Sequence, residues 1–123
     1  FQSGIDEGAE CVLVSHNIVE CMDAENPASL SPEVHRILRE ELGFTGVIVT
    51  DDLVMDAIRE FTGGENPCVA AFEAGNDMLI SSNIQEDYQA LLKAAQDGTI
   101  SVEQIDERVT RILAWKYYSG IIA

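Results

Sequence analysis

Two adjacent carboxylates, Asp51 and Asp52, follow directly on the apolar run Val47-Ile48-Val49 and its Thr50. A carboxylate held among polar donors stays ionised near neutral pH. That is the state required of a nucleophile or an electrostatic stabiliser. Successive residues at a strand end diverge, so one carboxylate can point into a cleft while its neighbour turns toward the loop. One of them can also cap a helix opening near Val54. Spacing alone does not say which does what.

His16 ends a second apolar run, in Ser15-His16-Asn17, and Ser81-Ser82-Asn83 ends a third. In parallel α/β folds function gathers at the C-terminal ends of strands, and these three polar ends project to one edge. Ser, Asn and Asp at such ends are equally the residues of helix caps and turns. A lone strand-end histidine is as readily a hydrogen-bonded structural group as a functional one. Its expected nearness to Asp51 across adjacent strands argues for function. His35 falls at the edge of a helical apolar stripe and reads as structural and partly solvated, while Met55 and Met78 read as core.

The elements that must hold these groups are legible from pattern. Cys11–Val14, Val47–Val49 and Met78–Ile80 do not alternate with polar residues, so each reads as a strand covered on both faces of a parallel sheet. They recur every 30 to 35 residues or so, about the length of a βα unit. Ser31-Pro32 supplies an N-cap and a first helical proline. Val34, Ile37, Leu38 and Leu42 then mark one face, and Gly43 stops the helix. A less regular helix is expected over Pro67–Ala74, ending at Gly75. Ile84, Tyr88, Leu91, Leu92 and Ala95 form another stripe, ended by Gly98. Ser101-Val102-Glu103-Gln104 fits a capping box opening a last helix with Val102, Ile105, Val109, Ile112 and Leu113 inward. The result is an α/β fold of three parallel strands with flanking helices. Both edges of so small a sheet are exposed. It is better read as part of something larger, with a tendency to self-associate through those edges, than as a minimal sandwich.

Composition narrows the function. The chain has 123 residues, which fits one domain, and 22 acidic against 7 basic residues give a net charge of −15. Such a charge repels nucleic acid and anionic membranes, so neither is an expected partner, although solubility explains it equally well. No apolar run approaches the roughly 20 residues of a membrane-spanning helix, and no signal peptide opens the chain. Cys11, Cys21 and Cys68 have no metal-ligand spacing. No metal or cofactor is expected. Reduced thiols favour a cytoplasmic location over a secreted one, and Cys11 reads as a small buried hydrophobe. Phe1-Gln2-Ser3-Gly4 reads either as a protease-site scar or, with Ile5 and Ala9 spaced four apart from Phe1, as one helix face.

The runs VLVSHN, ENPASLSPEVHRILREELGFTGVIVTDDLVMDAI and AFEAGNDMLI together resemble the C-terminal part of the glycoside hydrolase family 3 catalytic barrel. The bacterial β-N-acetylhexosaminidase branch is the most similar. PASLSP, LR-x-ELGF-x-GVIVTDDL-x-M and AG-x-DM are far more specific jointly than singly. The opening F-x-x-x-I-x-x-G-A resembles the family's helix before the sixth strand, which favours a native N-terminal segment. The match runs from about Phe1 to Lys116.

The resemblance implies that residues 1–123 are the C-terminal portion of a catalytic domain, carrying the sixth, seventh and eighth βα units of a (β/α)8 barrel. It implies a retaining reaction that removes terminal N-acetylglucosamine from glycans such as peptidoglycan fragments. It assigns the nucleophile to Asp51, a supporting place in substrate binding to Asp52, and to His16 a place bordering the sugar that is binding rather than catalytic. The family's proton donor, a histidine on a K-H-x-P-G-H-G loop, has no counterpart in this chain. A complete barrel needs about 250 residues, so the chain alone is expected to have little or no activity. Two other readings stay open: a non-catalytic sugar-binding or assembly fragment, and a Mg²⁺-binding receiver domain of the signalling kind. The receiver reading is the weaker, because Ser81-Ser82-Asn83 offers no aspartate to phosphorylate.

Overall fold

The computed structural model of the chain describes residues 1–54 and 56–123. Met55, expected in the core, lies outside the described residues. A short helix α1 (Gln2–Asp6) precedes strand β1 (Cys11–Val14), helix α2 (Pro32–Arg36), strand β2 (Val47–Asp52) and helices α3 (Asp56–Arg59) and α4 (Pro67–Ala74). Strand β3 (Met78–Ile80) and helices α5 (Ile84–Asp97) and α6 (Val102–Tyr118) complete the order. The strands form one parallel sheet in the order β1-β2-β3. Val14 pairs with Thr50 and Asp52 with Ile80, with an irregularity between Val49 and Asp52. The two carboxylates therefore occupy the last two positions of the central strand.

Local signals act where the sequence puts them. Ser31 Oγ accepts the Val34 N–H at 3.1 Å and Pro32 opens α2. The helix then widens into a π-type turn over Ile37–Glu41 before Gly43, at φ 67°. Asn66 caps α4 through the Cys68 and Val69 N–H groups. Ser101 and Gln104 form the reciprocal capping box of α6.

The helices α2, α4 and α5 cover one face of the sheet. Val12, Val14 and Ile48 pack with Val34, Leu38 and Phe44 below α2, and Leu79 packs toward α4 and α5. On the other face Leu13 is 52% and Ile80 44% exposed. Covering on both faces, which the unbroken apolar runs predict, is therefore met at the fully buried Val47 and Ile48 of β2 but not at Leu13 and Ile80. The reason is topological: successive strands laid down in one direction with right-handed crossovers place both connecting helices on the same side.

Three further expectations are corrected. On α5 the inward residues are Asp87 and Ala94 with Leu91 beside them, whereas Ile84, Tyr88 and Leu92 are exposed. The helix is turned because Asp87 is drawn inward by Asn66 Nδ2 at 2.7 Å and by the Ser81 hydroxyl. On α6 Val102, Val109 and Leu113 are exposed, and Ile105 packs on the core beside Arg108 and Arg111. Those arginines turn inward to the buried Asp77 carboxylate, with Arg111 Nη1 at 2.8 Å from Oδ1 and Arg108 Nε at 3.8 Å. Cys11 and Met78 are half-buried, since both lie on strands at the open edges.

Candidate active site

The strand ends bring the polar triplets together as their parallel register requires. Thr50 is fully buried and its Oγ1 accepts the Ile80 N–H at 3.0 Å, which ties β3 to β2 just below the carboxylates. By the strand's period of two, Asp51 shares the open face with Val49. Asp51 is exposed, and the one partner of its carboxylate among the described residues is its neighbour's N–H, from Asp52 to Oδ1 at 2.8 Å.

Asp52 is held at every polar atom. Its Oδ1 accepts the Val54 N–H at 3.0 Å and the Ser82 N–H at 3.2 Å, and its Oδ2 accepts the Ser82 hydroxyl. The Ser82 hydroxyl, followed by the Val54 N–H, holds the Asp52 carboxyl below the usual carboxylate range. Asp52 thus closes a turn onto Val54 rather than capping a helix there, since α3 opens at Asp56.

His16 reaches Asp52, not Asp51. Its Nε2 stands 2.8 Å from the Asp52 carbonyl oxygen and its Nδ1 2.7 Å from Ser29 Oγ. A carbonyl can only accept, so Nε2 carries the proton; in the neutral ring Nδ1 then accepts from the Ser29 hydroxyl. Ser29 is fully buried. Its own N–H donates to the Ser15 carbonyl at 3.0 Å, and its carbonyl accepts Asn76 Nδ2 at 2.7 Å.

A second layer fixes the Asn17–Ser31 connection from below. Ser31 Oγ donates to Asp23 Oδ2 at 2.7 Å, while Asp23 Oδ1 accepts the Glu25 and Asn26 N–H groups at 2.9 and 3.0 Å. These bonds, led by the Ser31 hydroxyl, hold the Asp23 carboxyl far below the usual range. His35 is buried rather than partly solvated. Its ring lies against Gly75, where a Cβ would meet His35 Cβ and Cγ at 3.0 Å, and its Nδ1 donates to the Ser31 carbonyl at 2.7 Å. Burial lowers the His35 pKa, opposed by that carbonyl.

Ser81, Ser82 and Asn83 serve the fold. Ser81 Oγ accepts the Asn83 N–H at 2.9 Å and donates to Asp87, and Ser82 holds Asp52. Beside them a polar cleft of about 280 Å³ opens between the β2–α4 connection and the start of α5, lined by Arg59, Glu65, Asn66, Asn83, Glu86 and Asp87 among others. Sequence reasoning missed Ser29 and Asn76. Both stand inside motifs, PASLSP and the variable position of AG-x-DM, but a serine or asparagine there gives no periodic signal of burial.

The site thus has one exposed carboxylate beside one fully engaged carboxylate at the end of a parallel strand. A family model described as the glycosyl hydrolase family 3 N terminal domain matches residues 1–115. The chain belongs to glycosyl hydrolase family 3. A family 3 beta-N-acetylglucosaminidase structure from a Paenibacillus species is 40% identical, with a TM-score of 0.87, and is matched over 100% of this chain and 24% of its own. A beta-N-acetylhexosaminidase structure from Beutenbergia cavernae is 34% identical over 94% of this chain and 36% of its own, with a TM-score of 0.79. The beta-hexosaminidase of Methylobacillus flagellatus is 31% identical over 124 residues, which is 100% of this chain and 35% of that protein. The chain thus spans between a quarter and just over a third of the length of these family 3 relatives. Family 3 membership leaves the receiver-domain reading without support.

Proposed function

We propose that this chain is the nucleophile-bearing part of a retaining, exo-acting β-N-acetylhexosaminidase, and that Asp51 is the nucleophile. The observation that carries the reading is the division of labour between the two aspartates. Asp52 has its carboxylate engaged by Val54 and Ser82, while Asp51 keeps an exposed carboxylate with a single backbone donor. That donor keeps the carboxylate oriented without removing it from a substrate.

In a retaining reaction a carboxylate oxygen attacks the anomeric carbon and the glycosidic C–O bond breaks. A proton donor delivers a proton to the departing oxygen, and water then hydrolyses the glycosyl–aspartate ester. In this proposal Asp51 supplies the attack, Asp52 braces it, and His16 borders the sugar. The proton donor lies outside these residues. Residues 1–123 form the C-terminal portion of a (β/α)8 barrel, an arrangement supported by the apolar open face of Leu13 and Ile80, which other strands would cover. The substrate class is terminal N-acetylglucosamine on glycans such as peptidoglycan fragments.

The test is trapping with a fluorinated N-acetylglucosaminide in the intact enzyme, followed by peptide mapping. Label on the peptide containing Asp51 is expected; label on any other carboxylate overturns the assignment. The 123-residue chain alone is expected not to turn over an aryl N-acetylglucosaminide. It is also expected to self-associate through its sheet edges, so a clean monomer by light scattering at high concentration counts against the barrel-part reading.

A further inference from the structure

Both ring nitrogens of His16 are already bonded within the protein, to the Asp52 carbonyl and to Ser29 Oγ, so the ring has no free polar atom for a sugar. The same Asp52 whose carbonyl takes His16 Nε2–H gives its own N–H to Asp51 Oδ1 at 2.8 Å. Behind the ring, Ser29 and Asn76 are both fully buried, and Asn76 Nδ2 bridges the Ser29 carbonyl and the Ala71 carbonyl at 2.7 Å each. A rigid path therefore runs from the end of α4, through the loop ahead of α2, to the backbone that aims the Asp51 carboxylate.

We propose that His16 is a positioning residue rather than a sugar ligand: the Asp52 carbonyl sets it as the Nε2–H tautomer, Ser29 anchors its Nδ1, and the ring fixes the Asp52 backbone that orients Asp51. This rests on the reading of Asp51 as nucleophile. The bond to the carbonyl survives protonation of the ring, because Nδ1–H can then donate to the Ser29 oxygen while Nε2–H stays in place. A strap of this kind acts on the geometry of attack. Misplacement of a reacting group by about 1 Å can cost on the order of 100-fold in rate, and such a loss falls on kcat rather than on KM.

Two measurements test it. In the intact enzyme His16→Ala is expected to lower kcat by about 10- to 100-fold with KM nearly unchanged. His16→Gln, which returns an N–H near the Nε2 position, recovers much of that loss, and Ser29→Ala shows a smaller loss of the same kind. A rise in KM with kcat preserved, or a glutamine variant as damaged as the alanine one, overturns the proposal.

The second measurement needs no variant and no activity. The chain has two histidines, and His35 Nδ1 faces the Ser31 carbonyl. Nitrogen-15 spectra of the folded protein are therefore expected to show His16 as Nε2–H and His35 as Nδ1–H. His16 as Nδ1–H, or averaged between tautomers, overturns the strap. If instead the fluorinated sugar labels another carboxylate while the His16 tautomer stands, the nucleophile reading fails and the strap remains a structural fact.

Discussion

Arg39 Nη2 lies 2.6 Å from Asp77 Oδ2, and the Asp77 side chain is fully buried. The same oxygen accepts the Ile48 N–H at 2.8 Å, so one carboxylate joins α2's extension, strand β2 and the lead-in to β3. Arg111 completes the set from α6. Removing one partner of a buried ion pair leaves uncompensated charge, which costs about 3–5 kcal/mol. Asp77→Asn is therefore expected to destabilise by that order in urea unfolding, and an effect below about 1 kcal/mol, the level of an exposed pair, would show that the cluster contributes little.

Gly46 must be glycine for lack of room, not for backbone conformation. A Cβ there would stand 2.2 Å from the Glu10 carbonyl oxygen and 2.7 Å from Phe44 Cζ. The crossing at Glu10 also carries the bond from Val47 N–H, so the backbone cannot withdraw freely. Overpacking a tight site costs about 1–3 kcal/mol and more where backbone must move. Gly46→Ala is expected at or above the top of that range. Gly4→Ala, with nothing within 4 Å and a helical setting, is expected to be neutral or mildly stabilising.

The strand positions, the caps at Ser31 and Ser101 and the stop at Gly98 were all legible in the sequence, because apolar runs and cap residues act locally. The faces of α5 and α6 were not. Their orientation is decided by Asp87, Arg108 and Arg111, polar residues turned inward by partners 6 to 34 positions away. Hydrophobic periodicity cannot register a buried charge. The carboxylate pair was visible as a pair and the family resemblance singled out Asp51, but periodicity could not show that Asp52 is engaged by Ser82, which is 30 positions away. His16 was visible as a strand-end histidine, and its buried partner Ser29 was not.

The tie between Asp52 and Ser82 predicts a specific acid response. The Asp52 pKa is lowered in the folded protein, so the unfolded chain binds more protons as the pH falls from about 4. The contribution to stability is present above the unfolded pKa and is lost as pH drops through the folded one. Ser82→Ala removes the largest cause of the shift. Wild type is expected to be more stable than Ser82→Ala at pH 7, and the gap is expected to close progressively below about pH 4. A gap that is constant across that range in denaturation measured at each pH would show that Ser82 stabilises by packing instead.

The three thiols are expected to react in an order set by their surroundings. Cys21 is exposed, Cys11 half-buried and Cys68 buried. Burial, reinforced by the negative charge of Asp87, pushes the Cys68 thiol up to about 12, and burial raises Cys11 by less. Only the thiolate attacks a disulfide reagent, so a raised pKa and poor access act in the same direction. With an aromatic disulfide at pH 8, Cys21 is expected to be modified first and Cys68 last, the latter at the rate at which α4 opens. Addition of urea should bring all three to a common rate. Rapid native-state modification of Cys68, located by peptide mass, would mean that the Asn66–Asp87 tie over the start of α4 is open in solution.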